Sequence, residues 1–214
     1  MRSREAVLYR KEWRADAAML AVMVASLLLV RLVTWIVRLS PHVPEGALSL
    51  MAAMIGARLL AGERETGTHA FLMQLPVSAT AVWRAKLWAA LSWVFVLYVV
   101  TYAGADEAAL LTSHPSYFGE PYAFIAPIVL LGAAAIASSV LDNTMLAFAA
   151  GVVIGLACQT VAAAIGERTN SAFLYGNGTL LLAVLLPLIT LILSGACLFG
   201  SRAIFVARCR ESRG

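Results

Sequence analysis

The stretch Gly62–Lys86, GERETGTHAFLMQLPVSATAVWRAK, interrupts a chain that is otherwise made for lipid. The apolar run 46–62 leads into it and the run 87–104 follows it. Whether it joins two membrane crossings or belongs to a soluble globule decides the fold, and composition gives the answer. Of 214 residues 61% are hydrophobic and 13% charged, with a mean hydropathy of +0.84. So thin a polar supply cannot clothe a soluble surface, so the chain belongs in a bilayer. Apolar runs fall at 17–39, 46–62, 87–104, 122–141, 144–165 and 178–200. Each is close to the roughly 20 residues a helix needs to cross about 30 Å of hydrocarbon. They are apolar all round rather than alternating, as helices are and barrel strands are not. The first run is longer than a signal-peptide core and LSPHVPEGA after it lacks a small-x-small cleavage site, so it reads as a span.

The expectation is an all-α membrane protein with six transmembrane helices in one unit, 17–200. An N-terminal interfacial helix precedes them at 1–16, a basic tail follows at 201–214, and the polar insert 63–86 joins helices 2 and 3. Orientation follows from basic residues in the loops. Arg2, Arg4, Arg10, Lys11 and Arg14 precede the first span, Arg64, Arg84 and Lys86 lie in the insert, and Arg202, Arg208, Arg210 and Arg213 follow the last. With six crossings these regions share one side, and the opposite loops keep only Arg38 and Arg168 beside the acids Glu45, Asp106, Glu107, Glu120 and Glu167. The positive-inside rule then makes both termini and the insert cytoplasmic, in a cell membrane such as the inner membrane of a bacterium. That rule also accounts for the net charge of +4 without a nucleic-acid partner.

Within 1–16, Val7, Leu8, Tyr9 and Trp13 can face the acyl boundary while Arg10, Lys11 and Arg14 meet anionic headgroups of membrane lipid. The same residues also suit a charged stop before a span. In the first span Arg31, Thr34 and Arg38 share a face; the two arginines either snorkel to the outer headgroups or touch a transported group or a partner helix. Arg58 reads as an anchor with Glu63 or Glu65 in its vicinity. In the fifth span Ala147, Gly151 and Gly155 recur at four-residue steps, a small-xxx-small stripe that lets another backbone approach, and Gln159 one turn beyond needs a polar partner. Pro187 is expected to kink the sixth.

Chemistry of other kinds is missing. The sequence holds no GxxxxGK[ST] phosphate loop, no HExxH and no GxSxG elbow. His42, His69 and His114 fall in three loops on two sides, so no metal site forms, and Cys158, Cys197 and Cys209 fit neither a disulfide framework nor a zinc pattern. Asp142 lies in the tight turn SSVLDNT, where Asp or Asn caps a helix start. No catalytic residue is expected.

The insert itself is too long for a reversal. Thr66 or Thr68 can cap a short helix, Phe71, Leu72 and Leu75 give it one apolar face, Pro76 ends it, and Ser78 caps the continuation into the third span. Such a helix can rest on lipid, but Glu63 and Glu65 would be repelled by an anionic leaflet, and a knob for a protein groove fits better.

ERETGTHAFLMQLPVSATAVWRAKLWAAL resembles the hallmark of the type 2 permeases of ATP-binding-cassette (ABC) transporters: Glu-Arg-Glu, Gly-Thr, a short helix, Leu-Pro and Ser, then a Lys entering the third helix. YRKEWRAD is similar to that family's elbow before the first helix, and ASSVLDNTMLAFAAG to its Ser-rich turn between the fourth and fifth. The chain is shorter than is usual there and its last outer hairpin is small. The resemblance implies a six-helix half-transporter without an ATP site of its own. Its insert would be a coupling helix docking into a separate ABC ATPase subunit, which carries ATP and Mg. Glu63, Arg64, Glu65, Gly67, Thr68, Phe71, Leu75 and Pro76 would be the coupling positions, and a second copy or a related permease would complete the pathway, export being the direction implied. The rivals are an energy-independent channel or ion-coupled carrier, and a membrane scaffold recruiting a cytoplasmic protein.

Overall fold

A computed structural model describes residues 3–37, 42–67, 77–102, 119–172 and 178–211. Every element among them is an α-helix: α1 Ser3–Ala15, α2 Ala17–Val37, α3 His42–Arg58, α4 Ala61–Glu65, α5 Ala79–Tyr102, α6 Gly119–Val140, α7 Thr144–Ala172 and α8 Gly178–Glu211. Four stretches are long and apolar enough to cross a membrane, Ala17–Val37, Ala79–Tyr102, Thr144–Val161 and Leu188–Arg210, and the shorter Ile125–Val140 is of the same character. The chain therefore has the make-up of a multi-pass membrane protein.

The apolar run 46–62 is divided. α3 ends at Arg58, Leu59 donates its amide to Gly56 in a tightened last turn, and the short α4 starts again at Ala61. Leu48, Ala52, Ala53, Ile55 and Ala57 are all buried, because α3 lies among α2, α5, α6 and α7. α6 is the second inner helix, packed against α3, α7 and α8. Lipid tails are as apolar as leucine, so close backbone contact rather than hydrophobic burial holds such helices together. Small residues provide it: Ala53, Ala57 and Ala61 meet Ala134, Ala137 and Ala147 in one cluster. A Cβ built on Gly56 would stand 2.5 Å from the Leu131 carbonyl oxygen, and one on Gly151 2.5 Å from Ala134 Cα.

A second, bulkier core lies where α1, α2, α3, α5 and the end of α8 meet; it includes Leu20, Met23, Leu27, Trp83, Trp93, Phe205 and Cys209. α8 has 34 residues and so spans about 50 Å, well beyond the roughly 30 Å of hydrocarbon. Residues 201–211, read from sequence as a basic tail, continue this helix, and it runs on unbroken past Pro187. Pro127, which sequence reading passed over, is buried inside α6.

α1 is only partly an interfacial face. Val7 is exposed, but Tyr9 hydrogen-bonds Ser92 at 2.9 Å and Trp13 meets Trp93 edge-on at 6.2 Å. Its aromatic side thus turns to α5 rather than to lipid, while Arg10, Lys11 and Arg14 are exposed.

Candidate functional site

α4 is five residues long and carries the Glu-Arg-Glu triplet. Successive helical residues are about 100° apart around the axis, so three in a row cannot face one neighbour. Here they fan out to different elements. Glu63 turns to α5, where its Oε1 is 2.6 Å from Lys86 Nζ. Arg64 turns to the turn joining α6 and α7, pairing with Asp142 at 2.6 Å and donating to the Ser138 carbonyl. Glu65 reaches the first residue of α7, accepting the Thr144 hydroxyl at 2.5 Å and the Thr144 amide at 3.2 Å.

The local chain is shaped for this fan. Thr66 Oγ1 donates to the Gly62 carbonyl at 2.9 Å, and Gly67, at φ 72°, returns its amide to Arg64. A glycine in the left-handed region just past a helix is the usual stop, because it carries no Cβ to clash. Thr66 therefore closes α4, while the short helix expected after it lies outside the described residues. Ser78 does act as a cap: its Oγ accepts the Ala81 amide at 3.3 Å at the start of α5. On the opposite side of the clasp, Asn143 caps α7 by accepting the Met145 and Leu146 amides at 2.9 and 3.1 Å. Asp142, expected as a possible cap, serves the arginines, with Arg208 of α8 at 3.6 Å as well as Arg64.

Lys86 is the charged centre. Its side chain is 5% exposed and lies between Glu63 of α4 and, at 3.1 Å, Glu12 of α1, each 15% exposed. Beside it a cavity of about 310 Å³ opens between α1, α3, α4 and α5, with Lys11, Asp16 and Arg58 among its charged walls. Arg58 forms its ion pair with Asp16 at 3.3 Å, and its charge also acts on nearby Glu65.

The electrostatics follow from these positions. Burial pushes the Glu63 carboxyl above its ordinary value, although the nearby Lys86 pulls the other way. Burial likewise raises Asp16 against the pull of Arg58. It lowers Arg64, opposed by Asp142. Glu65 is held below its ordinary value by the Thr144 hydroxyl and amide. Its charge also lies at the N-terminus of α7, where the helix dipole favours an anion. This constellation fastens four helices, α1, α5, α6 and α7, and the α6–α7 turn to one short helix.

Of the residues singled out by sequence, Glu63, Arg64, Glu65 and Gly67 meet in α4 and its stop. Thr68, Phe71, Leu75 and Pro76 lie outside the described residues, as does Arg38. Ala147 and Gly151 face α6, and a Cβ on Gly155 would stand 2.5 Å from Leu130 Cδ2. Gln159 is half-buried on α7. Arg31 touches a neighbouring helix, donating to the Val100 carbonyl at 3.2 Å on α5. Sequence reading missed Glu12 and the burial of Lys86. A signal existed: Lys86 shares its helical face with Ala89, Ala90, Trp93 and Leu97, at steps of 3, 4, 7 and 11 that place it on the inward side.

Comparison with protein-family models, with curated proteins and with solved structures finds no match in any of the three.

Proposed function

We propose that this chain is the membrane-spanning permease subunit of an ABC transporter, serving export. On this reading it crosses a cell membrane six times, the inner membrane where the cell is bacterial, with both termini and α4 cytoplasmic. The segment that follows α4 is the coupling helix for a separate ATPase subunit, which binds ATP and Mg and performs the hydrolysis. A second copy or a related permease supplies the other half of the path.

One observation carries the reading. The Glu-Arg-Glu triplet at the root of the insert is bonded to α5, to α1 through the shared lysine, to the end of α6 and the turn after it, and to the start of α7. A push on the insert therefore reaches four helices at once, as a device that converts a partner's motion into helix movement requires. The bias of basic residues toward this end supports its placement in the cytoplasm. The energy must come from the partner, since an equilibrium shifts only by a difference in binding between its two states.

The test is affinity purification of the tagged chain from its native membrane, followed by ATP turnover of what accompanies it. The expected result is an accompanying ATPase with a phosphate loop, whose turnover changes when Glu63→Gln or Glu65→Gln is introduced. An ATPase that binds but turns over identically with every variant would point to a scaffold. Absence of any ATPase, or outward labelling of a cysteine placed at Thr66, would overturn the proposal.

A further inference from the structure

We infer that Lys86 is a positioning residue that makes α1 move together with α4, so that the N-terminal helix belongs to the body displaced through the insert. The inference deepens the transport reading and rests on it only for what drives the motion.

Two carboxylates on separate elements share one ammonium, Glu63 of α4 at 2.6 Å and Glu12 of α1 at 3.1 Å. With the lysine side chain 5% exposed and each glutamate 15%, pulling either acid away would cost the desolvated lysine one of its two charge-assisted bonds. Other contacts hold α1 elsewhere. Tyr9 with Ser92 and Trp13 with Trp93 join it to α5, about two turns further along that helix than Lys86, and neither involves α4. Arg58 with Asp16 joins the α1–α2 junction to the end of α3, and its arginine is 42% exposed, so water can take over that bond. The buried lysine is thus the bonded link through which the position of Glu63 is felt by α1, beside the charge of Lys11, also on α1, which acts on Glu63 as well. When α4 is displaced, α1 must follow or the triad must break.

In a Lys11→Met background, which removes the other α1 charge acting on Glu63, Glu12→Met separates this role from simple folding, since it leaves the Glu63–Lys86 pair intact and removes the bond from Lys86 to α1. Spin labels at Val7→Cys and Thr66→Cys, with the three native cysteines replaced by alanine, report the distance between α1 and the end of α4 in vesicles. The distribution should be narrow with Glu12 and unchanged when the partner is loaded with ATP. With Glu12→Met it should broaden while the ATPase still co-purifies, and Glu12→Asp should restore the narrow distribution in part. Equal widths with and without Glu12, or an ATP-driven change of the 7–66 distance in the presence of Glu12, would overturn the inference. If no ATPase accompanies the chain, the transport reading fails, whereas the two widths alone still decide whether Lys86 ties α1 to α4.

Discussion

The Glu65 carboxylate closes over the first residue of α7, one oxygen taking both the hydroxyl of Thr144 at 2.5 Å and its amide at 3.2 Å. These bonds hold its folded-state pKa below the ordinary value of 4.5. The sign is that of a depressed acid: the stabilisation is complete above 4.5 and is lost as pH falls through the lower folded value. Thermal unfolding in detergent should therefore show the midpoint of the unmodified protein falling toward that of Glu65→Gln as pH drops below the ordinary carboxylate value of 4.5, with a constant gap above it. Glu63, raised by burial, contributes with opposite sign, but it does so equally in both proteins and leaves the gap unchanged.

Lys86→Met should be among the most damaging single changes, because it leaves Glu12 and Glu63 facing each other without the buried ammonium they share. About 3 to 5 kcal/mol of stability should be lost. Adding Glu12→Gln and Glu63→Gln should recover most of it, since a neutral cluster of similar volume no longer buries unpaired charge. Equilibrium unfolding of the single and triple variants measures both, and equal stability of the two would contradict the assignment.

Gly151→Ala should cost about 1 to 3 kcal/mol by overpacking, since the new Cβ meets the Ala134 Cα and Cβ at 2.5 Å and that backbone cannot yield. Gly195, inside α8, has nothing within 4 Å of the corresponding position. There alanine should gain about 0.5 to 1 kcal/mol through lower backbone entropy in the unfolded chain. Thermal midpoints should move in opposite directions for the two.

The arginines on either side of the α3–α4 break should differ in worth. Arg64, 13% exposed at its side chain, spreads its guanidinium between a carboxylate and a carbonyl, which an ammonium cannot match. Arg64→Lys should lose about 1 to 3 kcal/mol. Arg58→Met removes a pair that is half in water and should stay within about 1 kcal/mol of the unmodified protein. Faster proteolysis at the 140–143 turn in Arg64→Lys, but not in Arg58→Met, would report the same ordering.

The helices were readable in the sequence because hydrophobicity is a property of each run by itself, and the triplet Glu63–Glu65 stood out as charge at the end of such a run. Ser78 was legible for a similar reason, since its capping bond is local. Partner choice was not. Whether Glu63 meets Arg58 or Lys86 depends on how far each helix is rotated about its axis, and one residue of rotation re-aims a side chain by about 100°. The break at Leu59 and Leu60 supplies such a rotation, carrying Glu63 to Lys86 while Arg58 meets Asp16. The aromatic side of α1 was misassigned on the same ground: a greasy stripe suits lipid and protein equally, and only the presence of Ser92 and Trp93 opposite it decides between them.

The length of the last helix has a mechanical consequence. A rod of about 50 Å that leans by roughly 5° about one end carries its other end sideways by about 4 Å. Arg208, near that end, reaches the Val140 carbonyl at 3.1 Å and Asp142 at 3.6 Å. So slight an inclination is enough to sever both, which makes this pair of contacts a sensitive gauge of how upright the final helix stands.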